Sequence, residues 1–239
     1  MKRIHLISNP RNLSTALMYS FAQRKDTRVV DEPLYAYYLK LRPDVDHPAK
    51  DEIMDSMSSD LQQLIDEVLL KDYDRPVFFI KDMAHHLIKL ELDFMLSMTN
   101  LFLIRTPRQL IASIGKVMKQ PAMEDIGSKQ QYELYHWLKE RGQNPLVLDS
   151  GELLKDQRGV MQKLCAALDI PFDENMLQWE AGARPEDGVW ARYWYHNIHQ
   201  STGFSKQETS SRPLPDHLKP LYEEAKPYYD SLYQYSIKA

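Results

Sequence analysis

The sequence predicts an α/β fold whose core is a mainly parallel sheet of five strands flanked by helices. Three observations carry this reading: five short apolar runs rich in β-branched or aromatic residues, helical apolar spacing between them, and connections too long for hairpins. Parallel strands need long crossovers, and crossover helices cover both faces of the sheet.

The first strand spans residues 3–8 and runs through a polar turn into the helical pattern Ala16-Leu17-Met18-Tyr19-Ser20-Phe21. The second, 27–30, ends just before Asp31-Glu32-Pro33, where the proline suits the first turn of a helix. A loop over 43–48 follows, and then Leu61, Leu64, Ile65, Val68 and Leu69, spaced i, i+3, i+4, i+7, i+8, predict an amphipathic helix. The third strand is 76–81, after which Met83, His85, His86, Leu87 and Leu90 read as helical, with at most one of the histidines facing a cleft. The fourth is 100–105, followed by a helix opening at Pro107, and the fifth is 145–149. Beyond Pro171 the strand signal fades, and a tail of roughly 65 residues without a core of its own is expected to wrap the first one. The tail's proline-punctuated segment after Ser211 reads as loop.

With 239 residues and 43% hydrophobic composition, the chain can bury an ordinary core, and one domain over 1–239 is expected. Cys165 is the single cysteine, so a disulfide scaffold is excluded, and its apolar helical surroundings mark a buried thiol rather than a nucleophile. Thirty basic against 34 acidic residues give a formal net charge of −4. That balance argues against a whole-surface nucleic-acid binder and confines any anion site to a local pocket. The start, MKRIHLISNPRN, has only a four-residue apolar run, and no later stretch approaches the roughly 20 apolar residues of a membrane span. A cytoplasmic protein without membrane or nucleic-acid partners is expected, while its oligomeric state has no signature in the sequence.

Two segments carry anion chemistry. The first strand ends in Pro10-Arg11-Asn12-Leu13-Ser14-Thr15 and then turns helical. Strand, polar turn and helix place unpaired N–H groups and the positive end of the helix dipole beyond a strand's carboxyl end, with Arg11 adding a full charge. The same residues also allow a plain N-cap by Asn12 or Ser14 with Arg11 at the surface. No Walker-type loop is present, because no glycine precedes Gly115 and the required lysine is missing, which disfavours ATP or GTP hydrolysis. The second segment is Arg105-Thr106-Pro107, reaching Ser113 eight residues after the arginine. An arginine ending a buried strand needs either an internal carboxylate or a bound phosphate.

Together these segments resemble the nucleotide-binding elements of sulfotransferases that use 3′-phosphoadenosine 5′-phosphosulfate (PAPS). In that superfamily a loop of the type Pro-Arg/Lys-Ser-Gly-Ser/Thr-Thr holds the 5′-phosphosulfate and an Arg-x-Pro-x-x-x-x-x-Ser element the 3′-phosphate. Leu13 stands here in place of the family's glycine and Asn12 in place of its serine. A further match runs from Glu152-Leu153-Leu154-Lys155-Asp156 to Leu168-Asp169-Ile170-Pro171. The sequence is most similar to a sulfotransferase-like group that includes the N-terminal region of plant branched-chain-aminotransferase-like proteins. Asp31-Glu32-Pro33-Leu34-Tyr35-Ala36, Trp179-Glu180-Ala181-Gly182 and Ser201-Thr202-Gly203-Phe204 carry that likeness, and no pyridoxal chemistry is carried over.

The resemblance implies a P-loop-type three-layer fold and PAPS as co-substrate without a metal. Arg11, Asn12, Leu13, Ser14 and Thr15 would hold its 5′ end, Arg105 and Ser113 its 3′-phosphate. The acceptor would be a hydroxyl or amine of a small molecule. Glu32 would be the base, although Asp31 and Glu32 also suit the cap of a helix begun by Pro33. Lys81 would be the electrophile at the leaving oxygen; its bland alternative is a surface ion pair with Asp82 or Glu91. The family histidine expected two residues after that lysine is missing, so His85 and His86 stand as reserve bases. Trp190, Trp194 and Tyr195 suit an acceptor wall, an adenine stack or core packing. His196 and His199 lie three apart without a third ligand nearby in sequence, and Ser201 to Lys206 resembles the loop that closes over the nucleotide. Two other functions fit the same scaffold: a Mg²⁺-dependent phosphotransferase and a nucleotide-binding module without turnover.

Overall fold

The computed structural model describes residues 1–45, 47–205 and 214–239. Its centre is a sheet of six parallel strands in the order β2-β3-β1-β4-β5-β6. They are β1 (Lys2–Ser8), β2 (Thr27–Asp31), β3 (Val77–Met83), β4 (Thr99–Ile104), β5 (Leu146–Asp149) and β6 (Ser236–Ile237). Five strands match the sequence reading in place and direction. The sixth was not expected: its two residues pair with Val147 and Leu148, a span too short to show alternation.

Side chains alternate across the sheet as the strand period demands. Ile4, Leu6, Phe79, Leu101 and Leu103 face one helical layer, where Leu17 and Phe21 of α1 (Ser14–Ala22) and Leu164 of helix Gln157–Ala167 pack. Ile7, Phe78, Ile80, Phe102 and Ile104 face the other, against Leu134 and Leu138 of helix Ser128–Glu140 and Leu232 of the tail helix Lys219–Tyr233. Cys165 is buried among the first set, and burial pushes its thiol up to about 11. The tail wraps the core as expected, but it also completes the sheet through β6. Among the described residues no helix is long and apolar enough to cross a membrane.

Two local expectations are corrected. His85 and His86 do not lie on a helix with Leu90, because β3 continues through Asp82 and Met83, still paired with Ile7 and Ser8; only the single turn Ala84–His86 follows. The helix predicted from Leu61 is α-helical over Leu61–Leu64 and widens to π-helical over Ile65–Leu69. Of the expected loops, Asp46 and the residues 206–213 lie outside the described ones, Lys206 included.

The strand order sets the site. From β1 the chain passes to β2 on one side of the sheet, and from β3 it crosses to β4 on the other. The connections leaving β1 and β4 therefore diverge, opening a crevice beyond their carboxyl ends at the point where ligands of open α/β sheets bind.

Candidate active site

The two segments singled out in the sequence meet at that crevice. Helix α1 begins after Leu13, and neither Asn12 nor Ser14 caps it. Asn12 instead braces the turn, accepting from the Leu13 N–H at 2.9 Å and donating to the Leu103 carbonyl on β4 at 3.1 Å. The first intrahelical bond in this turn runs from Leu17 N–H to Leu13 O, so among the described residues Ser14, Thr15 and Ala16 have no protein acceptor for their N–H groups. Three donors and the positive dipole end are left for an anion.

Leu13 needs no glycine-like backbone: its φ is −87°, and its side chain is buried in the core. The left-handed residue of this turn is Arg11, at φ 57°. Arg11 Nε donates to Ser113 Oγ at 3.3 Å, and the Arg105 guanidinium donates to the Arg11 carbonyl and to Gln109 Oε1 at 3.4 Å. Burial, and after it the Arg11 guanidinium, lowers the pKa of Arg105. Two guanidiniums thus meet at this half-buried turn, and the Asp149 carboxylate also acts on Arg105, raising its pKa against the first two effects.

A second cluster lies where β2 and β3 end. Asp31 and Lys81 are register partners on these neighbouring strands, so their side chains rise on the same face. Lys81 is fully buried, donating to Asp31 Oδ1 at 2.7 Å, to Glu32 Oε1 and to the Tyr195 hydroxyl at 2.8 Å. The bland alternatives fail here. Helix α2 (Tyr35–Leu41) has no side-chain cap from Asp31 or Glu32, and Lys81 pairs with neither Asp82 nor Glu91 but with the two carboxylates beside it. Asp82, equally buried, pairs with His5 at 3.1 Å.

Glu32 sits at φ 44°, a strained conformation held by its N–H on the Lys81 carbonyl at 2.7 Å and its carbonyl under Tyr35 N–H at 3.0 Å. Burial pushes its carboxyl up to about 7; Lys81 pulls it down, and Asp31 pushes it further up. Such a group is half-ionised near neutrality, as a general base requires.

Both clusters open onto one cavity of about 610 Å³. Arg11, Asn12, Leu13, Ser14, Thr15 and Ser113 line one part of its wall, and Glu32 and His85 also line it. Lys81 and Arg105 do not: the first lies beneath Glu32, the second behind Arg11. His86 is also on the wall, stacked between Tyr35 (4.6 Å) and Tyr38 (5.0 Å). Burial, then the neighbouring His47 and Arg42, lowers His85 to about 4, and burial with His85 and Lys81 holds His86 well below its ordinary value, so both are neutral at pH 7. The aromatic tail divides: Trp194 and Tyr195 line the cavity, whereas Trp190 is buried and donates to the Tyr195 hydroxyl at 3.2 Å. His199 pairs with Asp187 at 2.9 Å and His196 contacts Gln200; among the described residues no three metal-ligating side chains are grouped to hold a metal.

The sequence reading missed Tyr35 and Tyr38 as walls and the joint role of Asp31 and Tyr195 around Lys81. Spacing three apart on α2 could have marked the two tyrosines as one face; a contact across 164 positions, from Asp31 to Tyr195, leaves no local trace.

Comparison with known proteins agrees with this architecture. Branched-chain-amino-acid aminotransferase-like protein 2 of Arabidopsis thaliana is 37% identical over 97% of this chain, which spans 41% of that protein's length. The solved sulfotransferase domain from the Synechococcus PCC 7002 olefin synthase superposes with a TM-score of 0.58 at 16% identity, over 96% of this chain and 94% of its own. Retinol dehydratase, solved in a complex with retinol and PAP, gives 0.52 at 14% identity over 100% of this chain and 84% of its own. Residues 1–235 match the family described as sulfotransferase domain, and the chain belongs to that family.

Proposed function

We propose that this chain, as one domain over 1–239, transfers the sulfuryl group of PAPS to a hydroxyl or amine of a small acceptor. The observation that carries the reading is the uncapped start of α1, flanked by Arg11 and Ser113, on the same cavity wall as the Glu32 carboxyl. Uncapped N–H groups and paired guanidiniums fit phosphate and sulfate oxygens, and PAP in the retinol dehydratase structure supports a nucleotide of that class.

In such a reaction the acceptor oxygen or nitrogen forms a bond to sulfur while the bond from sulfur to the bridging oxygen breaks. The electron pair leaves with the 5′-phosphate of PAP, and the acceptor's proton passes to the Glu32 carboxylate. Developing negative charge on the leaving oxygen falls to the α1 N–H groups and Arg11, which are fixed before the substrate arrives and need no reorganisation. Lys81, the electrophile expected from the sequence, has all three donors engaged and serves Glu32 instead. Arg105 and Ser113 hold the 3′-phosphate side, Arg105 through its grip on the Arg11 turn.

Calorimetric titration with PAP in the presence of a chelator tests the binding half. Micromolar, metal-independent affinity is expected, with ATP far weaker with or without Mg²⁺; no PAP binding at millimolar concentration overturns the proposal. Transfer from ³⁵S-labelled PAPS to a panel of phenols, alcohols and amines tests the chemistry. The engagement of Lys81 favours a second reading, a nucleotide-binding module without turnover, which predicts PAP affinity and no labelled product in that panel.

A further inference from the structure

Charge beneath the cavity is out of balance. Two carboxylates, Asp31 and Glu32, face the single ammonium of Lys81, and no side chain of the three is more than 6% exposed. Counting donors fixes where each hydrogen goes. An ammonium has three hydrogens and accepts none. Those of Lys81 go to Asp31 Oδ1, Glu32 Oε1 and the Tyr195 oxygen. Trp190 Nε1, likewise a donor only, points at the same oxygen from 3.2 Å. The Tyr195 hydroxyl therefore accepts twice, and its own hydrogen is left for a carboxylate: Asp31 Oδ2 lies at 2.7 Å and Glu32 Oε1 only at 3.5 Å. Asp31 thus receives one short bond from Lys81 and another from Tyr195, and Glu32 is the carboxylate left short of donors.

We infer that Tyr195 is a positioning residue for Glu32: its hydroxyl anchors the Lys81 ammonium between the two carboxylates, fixing Glu32 through Oε1 and leaving Oε2 for the cavity. The inference rests on the reading of Glu32 as the base. Other groups facing Glu32 are accounted for. His86 Nε2, from the turn after β3, is 3.9 Å from Oε2, and its ring is neutral at pH 7. Asp82 of β3 is paired with His5 of β1. Tyr35 of α2 is kept protonated by burial and by Glu32 itself. Tyr195 is the neutral donor that supports the doubly ionised state of the carboxylate pair. Removing its hydroxyl withdraws a hydrogen bond from the charged form and raises the pH at which the carboxylate pair becomes doubly ionised.

The test is a ¹³C NMR titration of the full chain with labelled glutamate side chains, Glu32 being assigned through Glu32→Gln. In Tyr195→Phe the Glu32 midpoint is expected to rise by about one pH unit, a tenfold gain in proton affinity. In Asp31→Asn, which removes the competing negative charge, it is expected to fall. The pH midpoint of sulfuryl transfer moves with it in the same direction, an outcome that a merely structural tyrosine would not give. A midpoint that stays or falls in Tyr195→Phe overturns the inference. So does one that stays or rises in Asp31→Asn, which is read on its own should Tyr195→Phe not fold. The titration needs no nucleotide, so a wild-type chain that fails to bind PAP sinks the proposed function while this coupling is still measured.

Discussion

Replacing Arg11 with glycine separates binding from folding at the first turn. Arg11 holds φ 57°, a left-handed conformation that costs a residue with a Cβ about 1–2 kcal/mol. Glycine removes that strain, but loses the bond to Ser113, worth about 0.5–1.5 kcal/mol, and adds about 0.5–1 kcal/mol of unfolded-chain freedom. These terms offset to within about 1 kcal/mol, so the unliganded Tm should move by no more than about 2–4 °C. Binding should change far more. A charge-assisted bond to phosphate is worth about 1.5–3 kcal/mol, so PAP affinity should fall roughly 10–100-fold. At a PAP concentration near 100 times the wild-type Kd, the nucleotide stabilises the wild type by about 2.7 kcal/mol; after a roughly 30-fold loss, about 0.9 kcal/mol remains. The PAP-induced rise in Tm should therefore shrink from about 5–11 °C to about 2–3 °C, read by scanning calorimetry with and without nucleotide. A variant that keeps the wild-type rise shows that this turn does not hold the phosphate. One whose unliganded Tm collapses by more than about 10 °C refutes the conformational argument.

Two further outcomes follow from the same geometry. Glu32→Gln should lower the transfer rate by roughly 10²–10⁴-fold with PAP affinity unchanged within about twofold. Because the ionised form is the base, the wild-type rate should rise with pH through a midpoint near 7 and then level off; a rate that falls with rising pH across that window contradicts the assignment. Restoring the family's glycine as Leu13→Gly should cost about 2–4 kcal/mol, since Leu13 has negative φ and a core-buried side chain. The check is a Tm lower by roughly 5–15 °C with little change in PAP affinity; a stabilised variant would show that the turn wanted glycine after all.

The site was legible where its signals are local. A strand, a polar turn and a helix lie within some twenty consecutive residues, so the polar turn at Arg11 and the Arg105 to Ser113 element could be singled out before any contact was known. Glu32 was marked by the resemblance rather than by its neighbours, since a strand end and a proline equally suit a helix cap. The histidines were misread because apolar spacing after Lys81 mimics a helix, whereas hydrogen bonds to β1 keep Asp82 and Met83 in the strand. Strand β6 was missed because two residues carry no period.

What the sequence alone determined is the α/β class, the five principal strands and the location of the two cationic segments, because hydrophobic period and turn chemistry are written in neighbouring residues. Tertiary structure decided that Arg11 and Ser113 touch, that Lys81 lies under Glu32 rather than in the cavity, and that Tyr195 comes back from the tail to meet them. The pairing of β2 with β3 puts Asp31 opposite Lys81, and burial then leaves no water to satisfy an ammonium, so it binds whichever carboxylates and hydroxyls the fold delivers. That choice depends on strand register and on a tail more than 100 residues away, E.g. the contact from Lys81 to Tyr195 spans 114 positions, and no run of neighbouring residues encodes it.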